Sequence, residues 1–390
     1  MSGRLQRHID ASLQEHFDKY KQVLILLGSR QVGKTTILKR IFPEAQYFLL
    51  DNQPTKTILE TYDINAYRQL IKQSPEPVIL DEIHLLSNPG RAVKIIYDQM
   101  PGIKLAITGS SSLRIKNRTS ESLAGRKIDY HLYPLSFSEY LYQMGMESEL
   151  NTRVSDIIAG LSERGSLHNF DLRIVTENVL AYGLYPTLVN NPSDDKYLLN
   201  LADSVVFQDL LDLQLIENRA TAYSLLKLLA YQVGNLINYS EIANRLNVDP
   251  RTVRKYIEIF EQSFIIFRLY PYSTKKRDEI GKTPKIYFYD LGLRNALIDD
   301  FSSVSLRRDN GAIFENFIVG EFMKANSYFD LGYAINYWRL SQGSEMDLVL
   351  SRGNELVGIE IKYSHKERGS AFQNRYPHAK VGLITIQNFY

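Results

Sequence analysis

The sequence predicts an α/β protein: a parallel sheet carrying a phosphate loop, then a helical section with a helix-turn-helix, then a smaller α/β unit. Three observations carry that expectation. Over the first third of the chain, short apolar runs alternate with amphipathic stretches, the rhythm of buried parallel strands joined by helices. The first run leads into Gly28-Ser29-Arg30-Gln31-Val32-Gly33-Lys34-Thr35-Thr36, which fits the phosphate-loop pattern G-x-x-x-x-G-K-[ST]. Strand-like runs then give way to helical spacing from about Leu135 and return only near Lys285.

Val23–Leu27, Tyr47–Leu50, Val78–Leu80 and Lys104–Thr108 read as buried strands. The glycines after the first let backbone N–H groups cradle phosphates at the start of the helix TTILKRIF, where the helix dipole favours anions. Residues Gly28 to Thr36 are therefore the candidate binding loop for ATP, with Lys34 reaching the β- and γ-phosphates and Thr35 a ligand of Mg²⁺. The third strand ends in Asp81-Glu82: Asp81 is suited to help hold the Mg²⁺ and Glu82 to polarise the attacking water. The fourth ends in Thr108-Gly109-Ser110-Ser111-Ser112. Thr108 and Ser110 are candidates for contact with the γ-phosphate or that water; a serine-rich turn capping a helix accounts for them equally well. Arg126, just before the strand-like KIDYHLY, is a candidate for the arginine that meets developing charge in phosphoryl transfer, often from a neighbouring subunit. Arg114 and Arg118 compete for that role, and a structural salt bridge is the alternative.

The next sections read as a helical connector over 135–219 and a more basic unit over 220–272, with helices continuing to about Phe267. Tyr239–Leu246, a turn at Asn247–Asp249 and Pro250–Gln262 form a helix-turn-helix pattern, with Asp249 as cap and Pro250 as first helical residue. Arg251, Arg254 and Lys255 lie near the start of the second helix, where a recognition helix meets DNA; Lys275, Lys276 and Arg277 follow in the polar loop STKKRDEIGKTPK. Many such units serve only as protein-docking modules. The last section, 273–390, begins with the strand KIYFYD, continues with a helix around Ile313–Lys324, and ends in strands at 333–340, 346–350 and 355–362.

In that section Glu345-Met-Asp347 opens one strand and, after twelve intervening residues, Glu360-Ile-Lys362 lies on the next. Alternation places Glu360 and Lys362 on one face. With Glu315 on the helix, this is the E…D…E-x-K arrangement of PD-(D/E)xK nucleases, whose carboxylates are suited to a second Mg²⁺ site with Lys362 assisting. An inherited site that now serves binding or structure is the alternative.

GSRQVGKTT, VILDEIH, TGSSS and LAGRKIDYHLYPLSFSEY together resemble the predicted AAA-type ATPases that carry a C-terminal domain of unknown function, number 4143. The resemblance continues through GLYPTLV, KIYFYDLGLRNAL, IFENFIVGE, EMDLVL and IEIKYS, so that it spans essentially the whole chain. It implies ATP binding, an AAA-type P-loop core over 1–134, a winged-helix unit and a nuclease-like, PD-(D/E)xK-like C-terminal fold.

Composition limits the rest. The chain has 390 residues, 44% hydrophobic and 23% charged, enough for several cored domains and too apolar for a disordered chain. With no cysteine, thiolate chemistry and Cys-ligated zinc or iron–sulfur sites are excluded. The seven histidines show no ligand spacing for zinc. The N-terminal stretch is charged throughout and no run reaches membrane-span length, so a cytoplasmic protein with no membrane partner is expected. The net charge of +2 conceals an asymmetry: Glu147–Arg219 holds 12 acidic and 5 basic residues, net −7, whereas Arg251–Lys285 holds 9 basic and 4 acidic, net +5. Two functional readings follow, an ATPase acting on DNA and an ATP-dependent switch for protein partners with an inert C-terminal domain. Either is compatible with a homo-oligomer. Absence of N-K-x-D disfavours GTP, and Asp81-Glu82 with the long helical extension disfavours a small-molecule phosphotransferase.

Overall fold

A computed structural model describes residues 6–109, 123–150, 154–160, 172–212, 216–273, 283–340, 343–364 and 369–390. The chain divides into two compact units, Met1–Pro134 with Gln262–Phe264, and Leu135–Glu261 with Ile265–Tyr390.

The first unit is built on five strands: β1 (Val23–Leu27), β2 (Gln46–Leu49), β3 (Val78–Asp81), β4 (Leu105–Gly109) and β5 (Lys127–His131). Their order is β2-β3-β4-β1-β5 and every pairing is parallel. Continuous apolar sequence suits such a sheet because both faces are covered by helices; β1, as VLILL, is buried at all five positions. Chain order leaves β1 between β4 and β5, so its carboxyl end is a topological switch point, where α/β sheets open a crevice for ligands. Connecting helices start on local capping signals: Asn88 accepts from the Arg91 N–H ahead of the helix Pro89–Gln99, and Asp63 accepts from Asn65 and Ala66 ahead of Ile64–Leu70.

In the second unit, Ser136 and Glu139 form a reciprocal capping box that opens the helix Phe137–Gln143. The helix-turn-helix is formed by Tyr239–Leu246, capped by Asn238, and Pro250–Gln262, with Asn247 left-handed at φ 52° in the turn. The second helix stops at Gln262, short of the expected Phe267. Phe264 turns left-handed at φ 57°, and Ile266–Leu269 become β6, antiparallel to β7 (Lys285–Phe288). An apolar F-I-I-F run suits helix or strand alike, and the partner strand decided it. Leu236 adds an antiparallel bridge to Lys285. β6 and β7 thus pair across the boundary expected at 272/273.

The C-terminal part carries β8 (Ala334–Arg339), β9 (Glu345–Arg352), β10 (Glu355–Lys362) and β11 (Lys380–Thr385), ordered β11-β10-β9-β8. β8, β9 and β10 run antiparallel, while β11 is parallel to β10 and has no counterpart in the sequence expectation. One face packs through Val357, Ile359 and Ile361 against Ile313, Phe314 and Phe317 of the long helix Asn310–Tyr328. The other packs through Met346 and Val349 with Trp338 and Phe372. Gly358 allows that second layer to close, since a Cβ there would meet the Phe372 ring at 2.7 Å.

Candidate nucleotide site

The loop Gly28–Gly33 joins the carboxyl end of β1 to the helix Lys34–Ile41. Gly28 sits against the neighbouring strand's extension, where an added Cβ would meet the Leu132 carbonyl oxygen at 2.2 Å; no other residue fits. Gly33, at φ 97°, caps the helix in a conformation natural to glycine, and Gln31 is left-handed at φ 63°. Ser29 and Val32 are buried. Lys34 is only 5% exposed, and its Nζ donates to the carbonyls of Gly28 at 3.0 Å and Ser29 at 2.9 Å, so the ammonium is folded over the loop it would share with a phosphate. Thr36, two residues further along this helix, is exposed.

The strand register brings the acidic pair to the same edge. Leu80 on β3 pairs with Ile107 on β4, and Leu26 on β1 pairs with Thr108, so Asp81, Thr108 and the loop lie at one end of the sheet. Asp81 is buried. Its Oδ2 accepts from Thr35 Oγ1 at 2.6 Å and from the Tyr47 hydroxyl at 2.5 Å, while its Oδ1 accepts from Thr108 Oγ1. Thr108 in turn accepts from the Glu82 N–H at 3.1 Å. Thr108, a sequence candidate for contact with the γ-phosphate or the attacking water, joins β3 to β4 through its hydroxyl beside Asp81. Glu82 is left-handed at φ 59°, an uncommon state for a residue with a Cβ, and its Oε2 lies 3.1 Å from His84 Nδ1. Burial pushes the Glu82 carboxyl above its usual range, while the Lys34 ammonium opposes the shift.

Thr35 with Asp81 provides a hydroxyl beside a carboxylate, the oxygen donors a hard divalent cation takes, next to a cationic lysine. The residues fit Mg²⁺ with a nucleotide phosphate. Arg126 lies elsewhere: its carbonyl accepts from Val23 N at the amino end of β1, about 16 Å of strand away from the loop. Its guanidinium pairs with Asp98, Nε to Oδ1 at 2.9 Å. Ser110, Arg114 and Arg118 lie outside the described residues, as do Lys275, Lys276 and Arg277.

Of the helix-turn-helix candidates, Arg251 is exposed and its N–H bonds to Asp249 Oδ1 at 2.6 Å, the capping contact expected of Asp249. Arg254 stacks over the Tyr239 ring at 4.1 Å, and Lys255 pairs with Glu217 at 2.8 Å in a solvent-exposed bridge of little energetic weight.

The C-terminal acidic residues are arranged differently from the expected metal set. Lys285, which sequence reading passed over as a strand residue, is 4% exposed at its side chain and pairs with Glu315 at 2.9 Å and also with Glu345. Tyr287 OH donates to the same Glu315 oxygen at 2.5 Å. Asp347 Oδ2 accepts from Ile361 N at 2.8 Å and faces Lys362 at 3.5 Å, whereas Glu360 accepts from Gly369 N at 2.9 Å. Among the described residues no three Asp, Glu or His side chains are grouped to hold a metal ion. Ammonium groups face these carboxylates instead: Lys285 lies beside Glu315 and Glu345, and Lys362 lies 3.5 Å from Asp347 and 3.3 Å from Glu360. Burial raises the Glu315 and Asp347 carboxyls, opposed by Lys285 and Lys362 respectively; burial works against the Lys285 charge, but Glu315 and Glu345 outweigh it and raise its pKa. Lys285→Met is expected to cost about 3–5 kcal/mol in a urea unfolding curve, because it strands buried carboxylates. The loss should shrink in mildly acid solution, where those carboxyls take up protons and stand neutral. A loss that does not change with pH would remove this account of the cluster.

Family profiles match three stretches of the chain: an AAA domain over residues 20–141, a domain of unknown function numbered 8612 over 175–304, and a domain of unknown function numbered 4143 over 310–384. The second match runs across the expected boundaries at 219/220 and 272/273 as one piece. A Methanocaldococcus jannaschii protein described as uncharacterised is 26% identical over 398 aligned positions, covering 91% of this chain and 79% of its own length. One from Haemophilus influenzae, described likewise, is 23% identical over 88% of this chain and 83% of its own length. Among solved structures, a Walker-type ATPase of Pyrococcus abyssi aligns with 74% of this chain and 94% of its own, at 15% identity and a TM-score of 0.48. No described helix is long and apolar enough to cross a membrane.

Proposed function

From a chain that joins an AAA domain to a domain of unknown function 4143, we propose a Mg²⁺-dependent ATPase that couples its nucleotide state to a winged-helix unit and a nuclease-like C-terminal domain acting on DNA. The observation that carries the ATPase assignment is the meeting of Lys34, Thr35, Asp81 and Glu82 at the carboxyl ends of β1 and β3. Lys34 exchanges its carbonyl partners for phosphate oxygens. Thr35 and Asp81 would hold Mg²⁺, which when bound would offset negative charge on the nucleotide phosphates. Glu82 polarises water; its Oε2 lies 3.1 Å from His84 Nδ1. Arg126, at the far end of β1, serves only across an interface in a homo-oligomer.

The helix-turn-helix, the bridge at Leu236 and the antiparallel pair β6–β7 support a winged helix, and the net charge of +5 over Arg251–Lys285 supports an anionic partner. Lys285 beside Glu315 favours a binding or structural role for the C-terminal domain over cleavage. A titration of the full chain with a fluorescent DNA duplex over a salt series tests the DNA assignment. Phosphate contacts by Arg251, Arg254 and Lys255 predict a log–log slope of about −3, reduced by about one unit in Arg251→Ala. Absence of binding, or binding without a salt slope, would overturn it and leave the protein-partner switch.

A further inference from the structure

The structure assigns to Tyr47, a residue of the apolar run YFLL on edge strand β2, a place in the nucleotide site; this rests on the ATPase assignment above. We propose that Tyr47 is a positioning residue that sets how much Mg²⁺ the site requires, by competing for the Asp81 oxygen that faces the phosphate loop.

β2 and β3 run parallel, with Tyr47 opposite Ile79 and Leu49 opposite Asp81. Side chains two apart share a face of the sheet, so Tyr47 lies on the face of Asp81 and reaches one residue pair along the strand to it. Its hydroxyl donates to Asp81 Oδ2 at 2.5 Å. Lys39, from the helix that begins at Lys34, sets its Nζ 3.7 Å over the Tyr47 ring and holds it against that helix.

A carboxylate oxygen has two lone-pair positions in its plane. Both positions on Oδ2 are taken, one by Thr35 and one by Tyr47. Oδ1 is turned toward β4, where Thr108 donates to it. Thr35 can ligate a cation through its oxygen and keep its proton on Oδ2, so the Thr35 bond need not break. The Tyr47 bond must. A donor that leaves as the cation arrives opposes cation binding by the net worth of its hydrogen bond to a charged group.

Tyr47→Phe removes the competitor and keeps the ring under Lys39. Binding of a fluorescent, non-hydrolysable ATP analogue to the full chain, followed over a Mg²⁺ series, should show the half-maximal Mg²⁺ concentration falling by about tenfold. Lys39→Gln, at an exposed position, loosens the ring and should lower it by about two- to fivefold. If Tyr47→Phe does not fold, the Lys39→Gln midpoint decides. A midpoint that is unchanged within twofold, or raised, in the folded variant overturns the proposal and leaves the ATPase assignment intact. A natural protein that binds no analogue at any Mg²⁺ concentration overturns both.

Discussion

Lys34→Ala is expected to weaken ATP binding by at least about a hundredfold, measured by titration with a fluorescent ATP analogue in the presence of Mg²⁺. The lysine is 5% exposed and its ammonium already lies over the loop, bonded to the Gly28 and Ser29 carbonyls at 3.0 and 2.9 Å. Its desolvation is therefore met on folding rather than on binding, and a phosphate gains a charge-assisted partner without ordering a free side chain. Alanine removes that charge and leaves two buried carbonyls facing the incoming anion. Binding retained within tenfold would show that the loop does not hold a nucleotide phosphate through Lys34.

Glu82→Gln should separate binding from turnover. Glutamine keeps the shape of the side chain but has no carboxylate to polarise water, so analogue affinity should stay within a few-fold while ATP turnover falls by about 10² to 10⁴. The pH profile sharpens the test. Burial raises the Glu82 carboxyl, Lys34 opposes the rise, and the net shift is upward. Turnover needs the ionised form, so it should climb with pH along an acid limb lying above the ordinary carboxylate range; that limb should vanish from any residual activity of the variant. Full turnover in Glu82→Gln would move the water-activating role to another residue. The left-handed backbone at Glu82, φ 59°, is strain held in place by the Thr108 hydroxyl accepting its N–H. Such strain aims the carboxylate away from the strand direction that Asp81 follows.

Much of the first unit was legible because its signals are local. The loop pattern and the apolar strand ending in Asp81-Glu82 each occupy a few consecutive residues, as does the Asp249 cap of the helix-turn-helix in the second unit, and each acts through groups of the same segment. Where sequence reading departed from the structure, partners distant in the chain decided. The F-I-I-F run became β6 because β7 offered a ladder of hydrogen bonds. That Thr108 also binds the Asp81 carboxylate follows from β4 lying beside β3. Tyr47 and Lys285 were read as strand residues since nothing next to either in sequence is acidic.

By itself, the sequence determined the parallel sheet, the phosphate loop with its helix, the acidic strand end and the helix-turn-helix, because backbone preference, glycine conformation and hydrophobic period are properties of short segments. Only the tertiary structure decided which groups share a carboxylate. Asp81 takes three hydroxyls from three elements, and Lys285 lies beside Glu315 and Glu345. A buried charge is satisfied by whatever the strand register and helix packing bring within about 3 Å, and those contacts join residues whose separation along the chain carries no trace of the meeting.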